Sequence, residues 1–383
     1  MPIKMKHVEP PLLKARWQNE HLVASPEHYF EELCQDIDNA QHSVILEAYI
    51  FKMDRVGQRI IFALKQAIQR GVNVKLLLDG IGSLGTAADI ADELNHSGIE
   101  VKIYHPPPWY LRAYRWSREE GHNLRKLFIF FMELNRRNHR KLTIIDEQIA
   151  WVGSFNIADD HLSEKYGGNN WRDYAARVTG PEVHQLSENF HLVWQRKTKQ
   201  PGSGFLTHYL SNLSPYSRRL KRRFILKQIA KTQQQLWICS AYFSPSGALV
   251  RAIKRASRRG VDVRLIVPSR SDVMLFPALT ASYYSDLIKH GIKVYEYQQH
   301  FYHAKVLLID QQIIIGSTNL NHRSLLHDLE LDILLNHEQT IDNFKKLHKD
   351  DLDHSRQVTL AELPRYRKLL MLSWLPRLIR YWM

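Results

Sequence analysis

Short apolar runs alternate with amphipathic stretches along most of the chain. Residues 43–51 (SVILEAYIF) form a run typical of a buried strand, and residues 72–78 predict the next strand. Between them, residues 57–70 place apolar side chains on one helical face: Ile60, Ile61, Leu64 and Ile68. Ser25 followed by Pro26 is typical of a helix start. Strands that alternate with helices in this way predict α/β units with largely parallel sheets.

The same pattern occurs a second time in the chain. Residues 70–76 (RGVNVKL) match residues 259–265 (RGVDVRL), and in both copies a later helical stretch ends in Gly-Ile. Because this indicates an internal duplication, we predict two tandem α-β-α domains. We expect an irregular N-terminal segment, a first domain, a linker with the break PGSG, a second domain and a C-terminal segment: residues 1–20, 21–196, 197–215, 216–360 and 361–383.

Each half contains one polar motif between two predicted strands. Both motifs read H-x-K-x4-D and are followed by G-S-x-N: His139, Lys141, Asp146, Ser154 and Asn156 in the first half, and His303, Lys305, Asp310, Ser317 and Asn319 in the second. The apolar residues on either side predict a β-hairpin with its turn at the aspartate. The motif residues are therefore expected to lie on two neighbouring strands.

Strand geometry predicts which motif side chains share a face. Residues two apart point to the same side of a strand, so the histidine and lysine project together, as do the serine and asparagine. The aspartate lies an odd number of residues from the histidine in both motifs. Asp146 and Asp310 are thus expected to face away from the site, as turn or framework residues.

The residue types suit a phosphate group better than a metal ion. Lysine is a cation that offers only donors, which makes it a poor companion for a metal. Lysine, amide and hydroxyl groups donate to phosphate oxygens, and we assign four motif residues to phosphate binding: Ser154, Asn156, Ser317 and Asn319. One neutral imidazole can attack phosphorus, and a second, protonated imidazole can donate to the leaving oxygen. The two motifs together predict a phosphoryl-transfer site that uses no metal or other cofactor.

The paired motifs resemble those of the phospholipase D superfamily, whose members bring two such HKD motifs into one active site. Within it the chain is most similar to bacterial cardiolipin synthases of the short type, which lack an N-terminal membrane hairpin. Three stretches carry this closer resemblance: residues 78–83 (LDGIGS), 104–108 (YHPPP) and 135–141 (NRRNHRK). The first motif departs from it, because Gly153-Ser154 stands where many cardiolipin synthases have Gly-Gly.

The resemblance implies a fold and the roles of individual residues. It implies two tandem phospholipase D-like domains packed with a shared active site at their interface. The catalytic set that it implies is His139, Lys141, Asp146, His303, Lys305 and Asp310. An acid downstream of each motif would orient the histidine of that motif, Asp173 in the first half and Glu330 in the second.

The implied reaction is cardiolipin synthesis in two steps. His139 attacks the phosphodiester of one phosphatidylglycerol while His303 protonates the departing glycerol, and a phosphatidyl-histidine forms. His303 then deprotonates a hydroxyl of a second phosphatidylglycerol, which attacks phosphorus. Three alternatives remain open: a phospholipase D that transfers to water or simple alcohols, a nuclease of the same superfamily, and a non-enzymatic lipid-binding protein.

The charge of the chain and two of its segments indicate an anionic partner. The formal net charge is +14, which suits nucleic acid or an anionic lipid surface. The first half has 25 extra residues before its motif, mostly within an insertion at 109–138 that interleaves aromatic side chains with arginines. Residues 361–383 are similarly amphipathic. We predict that both segments contact a membrane surface; the alternatives are packing on the protein and, for the second segment, a dimer contact.

Cysteine content and hydropathy bear on location. The two cysteines, Cys34 and Cys239, lie in apolar contexts and indicate a reducing compartment rather than a disulfide framework. No uninterrupted apolar run reaches the ~18 residues of a spanning helix. Together with the resemblance, this predicts a peripheral protein on the cytoplasmic side of a bacterial inner membrane. Its expected partners are an anionic phospholipid membrane and phosphatidylglycerol, not nucleic acid.

Overall fold

Two mixed β-sheets with flanking helices make up the described part of the protein. The computed structural model describes residues 17–107, 136–197, 208–273 and 276–366. Within these ranges no helix is long and apolar enough to cross a membrane. The predicted α/β class and the duplication of its units are confirmed.

The first half forms a seven-stranded sheet. Its strands are β1 (Asn19–Val23), β2 (Ser43–Ala48), β3 (Asn73–Asp79), β4 (Glu100–Tyr104), β5 (Leu142–Ile145), β6 (Ile149–Gly153) and β7 (Ala175–Thr179). Its helices are α1 (Pro26–Asp38), α2 (Arg55–Gln69), α3 (Ala87–His96) and α4 (Val183–Trp194). The strand order is β1-β7-β6-β5-β2-β3-β4, in which β2, β3 and β4 are parallel. The first motif hairpin, β5 and β6, lies in the middle of this sheet.

The second half forms an eight-stranded sheet. Its strands are β8 (Tyr209–Ser211), β9 (Gln235–Ser240), β10 (Asp262–Pro268), β11 (Lys293–Tyr297), β12 (Lys305–Ile309), β13 (Gln312–Gly316), β14 (Leu331–Leu335) and β15 (Ser355–Val358). Its helices are α5 (Pro215–Lys231), α6 (Gly247–Arg258), α7 (Phe276–Ala281), α8 (Tyr284–Lys289), α9 (His322–Leu326) and α10 (Glu338–Asp353). The order is β15-β11-β10-β9-β12-β13-β14-β8, so the second motif hairpin, β12 and β13, is central as well.

Local sequence signals explain several helix ends. Ser25 Oγ accepts a hydrogen bond from the backbone N–H of His28, and Pro26 occupies the first position of α1. Gly71 after α2 and Gly260 after α6 have φ angles of +87° and +89°, a left-handed conformation that glycine adopts without steric cost. The repeated Arg-Gly-Val sequence therefore ends a helix and begins a strand in each half.

The structure differs from the predicted boundaries at two places. β1 begins at Asn19, within the segment predicted to be irregular, because it pairs with the distant strand β7. β8 lies within the predicted linker and pairs with β14. Neither short strand has an apolar run of its own that would reveal it. Four parts of the predicted segments lie outside the described residues: 1–16, 108–135, 198–207 and 367–383.

One apolar core joins the two halves. Buried side chains of the first motif hairpin, such as Ile144 and Ala150, belong to the same hydrophobic cluster as Ile314 and Ile333 of the second sheet. Strand β6 packs directly against β13 and β14. Burial of this apolar surface stabilises the arrangement in which the two motif hairpins lie close together.

Candidate active site

The two motif histidines face one cavity between the halves. The cavity has a volume of about 390 Å³, and its lining includes His139, His303 and the motif amides of Asn156 and Asn319. The His139 side chain is 13% exposed and that of His303 is 5% exposed. The structure therefore brings residues from both motifs to a single cavity.

His139 is held by groups of the second half. Its Nδ1 lies 3.1 Å from the carbonyl oxygen of Ser317 and 3.3 Å from Oε2 of Glu330. Since both neighbours accept hydrogen bonds, the proton of a neutral imidazole belongs on Nδ1. Burial and the charge of Lys141 lower the pKa of His139 well below its usual value. The free Nε2 of a neutral ring is the arrangement that a nucleophile needs.

His303 is held by an acid of the first half. Its Nδ1 lies 2.6 Å from Oδ2 of Asp173, a carboxylate with no exposed side-chain area. Burial and the charge of Lys305 lower the pKa of His303 below its usual value, and Asp173 opposes this shift. Asp173 thereby favours the protonated imidazole that a general acid requires.

The acids therefore pair with histidines of the opposite half, and the prediction that each acid serves its own motif is wrong. The backbone explains the exchange. The N–H of His139 donates to the carbonyl of Leu329 (3.0 Å), next to Glu330. The N–H of His303 donates to the carbonyl of Arg172 (2.8 Å), next to Asp173. Because each motif enters its hairpin alongside the other half, the acid within reach is the one that half carries.

Asp146 and Asp310 have framework contacts, as their odd spacing predicts. Asp146 accepts hydrogen bonds from the backbone N–H groups of Gln41, His42 and Ser43 at 2.7–2.9 Å. Asp310 binds the equivalent loop before β9, including the hydroxyl of Thr232 at 2.8 Å. Burial opposes ionisation of both acids, but these donors hold the pKa of each below its usual value. Grouping them with the catalytic residues is corrected accordingly, since each hairpin turn is anchored by its aspartate.

The two motif serines bind acids instead of facing the cavity. Ser154 Oγ donates to Asp173, and Ser317 Oγ donates to Glu330. Both serines are fully buried, at 0% and 1% exposure. Their assignment to phosphate binding is therefore corrected: each hydroxyl orients the acid that in turn orients a histidine.

The motif asparagines remain candidates for binding phosphate. Both amides line the cavity, and the backbone N–H groups of Asn156 and Asn319 are engaged by His161 and Ser324. Among the described residues, the side-chain Oδ1 of each asparagine has no hydrogen-bond partner. An amide oxygen only accepts hydrogen bonds, so these side chains would bind phosphate through their Nδ2 donors, while Oδ1 can accept from a substrate hydroxyl.

The two lysines place buried positive charge beside the histidines. Lys141 Nζ donates to the carbonyl of His139 (2.9 Å), and Lys305 Nζ donates to that of His303 (2.8 Å). Burial, with repulsion from Lys305, lowers the pKa of Lys141 to about 7. Burial lowers the pKa of Lys305 to about 8. An anion bound in the cavity would stabilise the protonated form of both lysines and would therefore raise their pKa values.

The two acids differ in their surroundings. Asp173 is 3.9 Å from Nδ1 of the buried His161, and despite burial, His303 and Lys305 keep the pKa of Asp173 far below its usual value. In the second half Ser324 occupies the position that corresponds to His161. The two positions are 163 residues apart, the same separation as between the two G-S-x-N motifs. Burial raises the pKa of Glu330 to about 7 against the hydrogen bonds of Ser317 and Ser324.

Sequence reasoning gave His161 no role, because it belongs to neither motif. The structure shows it within the polar cluster, where its Nε2 accepts the N–H of Asn156 at 3.0 Å. The sequence did contain one signal: His161 follows the asparagine of its G-S-x-N motif at the same distance as Ser324 follows Asn319. His161 therefore holds the backbone of Asn156 and lies close to Asp173 without a hydrogen bond to it.

One donor set has the composition of a metal site. His161, Asp173 and His303 offer ligand atoms that all lie within 4.8 Å of one another. Lys305 Nζ, however, lies 3.0 Å from Nε2 of His303, so an ammonium already stands beside this group. A lysine at that distance repels a metal cation. The donors fit the Asp173–His303 hydrogen bond better than a metal ion.

A second buried network fixes the start of the first motif. Asp79 accepts the N–H groups of Ile81 and Gly82 at 2.9 and 2.8 Å and that of Asn138 at 2.8 Å. Arg140, between the motif histidine and lysine, forms a fully buried ion pair with Glu47 at 3.1 Å. Removal of one partner from such a pair typically costs ~3–5 kcal/mol, so this network is a structural support for His139.

Anion binding at this site is expected to take up protons. The pKa values of about 7 and 8 for Lys141 and Lys305 should rise when a phosphodiester lies between them. Affinity for an unreactive phosphonate monoester should therefore fall as the pH rises through about 7 to 8 and beyond. Calorimetric titration at pH ~8 in buffers with different ionisation heats measures the uptake. Lys141→Met should reduce it, and binding without proton uptake would contradict the lysine assignments.

Three comparisons place the chain among known proteins. A family model described as "Cardiolipin synthase, PLD-like domain" matches residues 33–194 and 225–352. The minor cardiolipin synthase ClsB of Bacillus subtilis is 31% identical over 364 residues, which are 92% of this chain and 86% of that protein. Cardiolipin synthase B of Shigella flexneri is 30% identical over 361 residues, 89% of this chain and 82% of that protein. The crystal structure of phosphatidylserine synthase from Haemophilus influenzae is similar in fold, with a TM-score of 0.66, 14% identity and 95% coverage of both chains.

Proposed function

The chain belongs to the family of cardiolipin synthases with phospholipase D-like domains, and on that premise we propose that it transfers a phosphatidyl group from one phosphatidylglycerol to another. One observation carries the mechanism. Two histidines from different halves face one cavity, and each is oriented by an acid of the opposite half. That arrangement supplies one nucleophile and one acid–base group to the same phosphorus atom.

The first step forms a covalent intermediate. His139 Nε2 attacks phosphorus, so that a P–N bond forms while the bond from phosphorus to the headgroup glycerol oxygen breaks. The positive charge that develops on the imidazole is stabilised through Nδ1 by Glu330 and the carbonyl of Ser317. His303, held by Asp173, gives its proton to the departing oxygen, and glycerol leaves.

The second step reverses the roles. Neutral His303 removes the proton from a primary hydroxyl of a second phosphatidylglycerol. The resulting oxygen attacks phosphorus, the P–N bond breaks, and His139 is restored as cardiolipin forms. Lys141 and Lys305, buried beside the two histidines, stabilise negative charge on the phosphoryl oxygens in both steps. The amides of Asn156 and Asn319 line the cavity and complete the cradle.

The same proposal includes a membrane partner. The substrates are lipids, and the net charge of +14 favours an anionic surface. Helix α5 adds exposed arginines beside the 47%-exposed Tyr216, a combination suited to the bilayer interface: Arg219, Arg222 and Arg223. We place the protein at the cytoplasmic face of a bacterial inner membrane, with the parts of segments 109–138 and 361–383 that lie outside the described residues as additional contacts.

Incubation with phosphatidylglycerol vesicles tests the function directly. The protein should produce cardiolipin and glycerol in equal amounts, and His139→Ala should produce neither. Lipid chromatography with a glycerol assay measures both products. Phosphatidic acid as the sole lipid product would show that the protein is a hydrolase and not a synthase. Unchanged lipid together with cleaved DNA or RNA would show that it is a nuclease.

A further inference from the structure

The cavity wall carries a positive charge that the two-histidine mechanism does not use. Among the described residues that line the cavity, Arg323 is the one lysine or arginine. Its side chain is 26% exposed. It lies in α9, beyond the G-S-x-N motif of the second half, and is not part of either HKD motif.

Arg323 is attached to the frame of the site. Its Nε donates to Asp328 Oδ2 at 3.1 Å, and Asp328 Oδ1 accepts the backbone N–H of Arg137 at 3.0 Å. The next residue in α9, Ser324, donates to Glu330, the acid that holds His139. The guanidinium is thus positioned by the same elements that position the nucleophile.

The duplication offers an internal comparison. At the constant offset of 163 residues, the position that corresponds to Arg323 is Asp160. Asp160 forms an ion pair with Lys52 and accepts the side-chain amide of Asn169 at 2.9 Å. The first half therefore has an acid engaged with a lysine where the second half has a cation on the cavity wall. This difference makes the site asymmetric although its two motifs are alike.

The proposed reaction requires two phosphate groups in one site. Lys141 and Lys305 meet the phosphodiester that reacts. The acceptor phosphatidylglycerol brings a second phosphodiester, separated from its attacking hydroxyl by the glycerol carbons. Water and simple alcohols bring no such charge. A cation on the wall of the cavity, apart from the catalytic lysines, is the feature that would distinguish these acceptors.

From these observations, and resting on the proposed function, we infer that Arg323 binds the phosphate of the acceptor phosphatidylglycerol and selects it over water and neutral alcohols. Guanidinium is suited to this task because its planar donors match phosphate oxygens. Burial raises the pKa of Asp328 to about 7 even beside Arg323. An anion that approaches the guanidinium can therefore be accommodated by protonation of its carboxylate partner.

A purely structural role for Arg323 predicts a different outcome. If the side chain served only to hold Asp328 and the backbone at Arg137, its loss would weaken transfer to every acceptor equally. If it binds the acceptor phosphate, its loss would weaken transfer to a charged acceptor more than transfer to a neutral one. The ratio of two products formed in one reaction separates these roles, because both products arise from the same phosphatidyl-enzyme.

The test uses two matched acceptors that compete in one tube. The donor is a phosphatidyl ester of p-nitrophenol, and the acceptors are glycerol and glycerophosphoglycerol, which share a primary alcohol but differ by one phosphodiester. In the wild-type protein the charged acceptor should be preferred. In Arg323→Gln the ratio of charged to neutral product should fall at least about tenfold, the effect of losing one charge-assisted contact. In Arg323→Lys the same ratio should fall less, because lysine keeps the positive charge.

Two further results complete the test. Arg255→Gln, which removes the same charge from an exposed position of α6, should leave the ratio at its wild-type value. An Arg323→Gln protein that loses both products by the same factor, or a wild-type protein without preference for the charged acceptor, would overturn the inference. Failure of the proposed function is a separate result: the wild-type protein would then make no cardiolipin from phosphatidylglycerol vesicles.

Discussion

His303→Ala is expected to react once per molecule and then stop, with a phosphatidyl group attached to His139. With phosphatidylglycerol as donor, loss of the proton donor should lower turnover by about 10³-fold or more. A p-nitrophenyl donor does not need a proton donor in the first step, because p-nitrophenolate leaves without being protonated. The variant should then release a burst of nitrophenolate equal to the amount of enzyme, since no base remains to activate the acceptor.

The trapped group identifies the nucleophile. Peptide mass spectrometry at neutral or alkaline pH, where phosphoryl-histidine is retained, should locate the phosphatidyl group on His139. The matched control is His139→Ala, which should give no burst with the same donor. A phosphatidyl group on His303 of the His139→Ala variant would place the nucleophile in the second half. A phosphatidyl group on any residue other than His139 in His303→Ala would contradict the assignment of His139.

Asp173→Asn and Glu330→Gln are expected to impair different steps. Asp173 holds His303 at 2.6 Å, so Asp173→Asn should lower turnover of phosphatidylglycerol by about 10²- to 10⁴-fold while sparing the nitrophenolate burst. Glu330 holds His139 at 3.3 Å, so Glu330→Gln should slow the burst itself. Rapid-mixing measurement of the burst and steady-state lipid analysis separate the two effects.

The pattern of these two variants tests the exchange of acids between the halves. If each acid served the histidine of its own half, Asp173→Asn would slow the burst and Glu330→Gln would spare it. Asp286→Asn, an exposed acid of α8, serves as the control and should alter neither step. Thermal unfolding of each variant, followed by circular dichroism, checks that the amide replacements leave the fold in place.

Much of the framework was predictable because it depends on local periodicity. Apolar runs and helical faces located β2, α2 and β3, and the repeated Arg-Gly-Val sequence revealed the duplication. The resemblance to cardiolipin synthases of the phospholipase D superfamily is confirmed by the family model and by relatives of about 30% identity. The sequence also predicted that Asp146 and Asp310 are turn residues that face away from the site, and both bind the loop before a neighbouring strand.

The contacts between the halves could not be read in the same way. The serines of both motifs were expected to bind phosphate, but they bind Asp173 and Glu330 because those acids lie buried directly beside them. His161 and Arg323 lie outside the motifs and acquire meaning only from what surrounds them. The predicted membrane segments at 109–138 and 361–383 remain predictions.

The amino-acid sequence by itself located both motifs and the two hairpins that they flank. Local rules suffice for that, since hydrogen bonds between neighbouring strands and the alternation of their side chains depend on nearby residues. Only the tertiary structure decided which acid lies beside which histidine and that Arg323 lies on the cavity wall. The segments that lead into β5 and β12, at His139 and His303, each bond to the backbone of the other half, and local rules within one half do not predict that exchange.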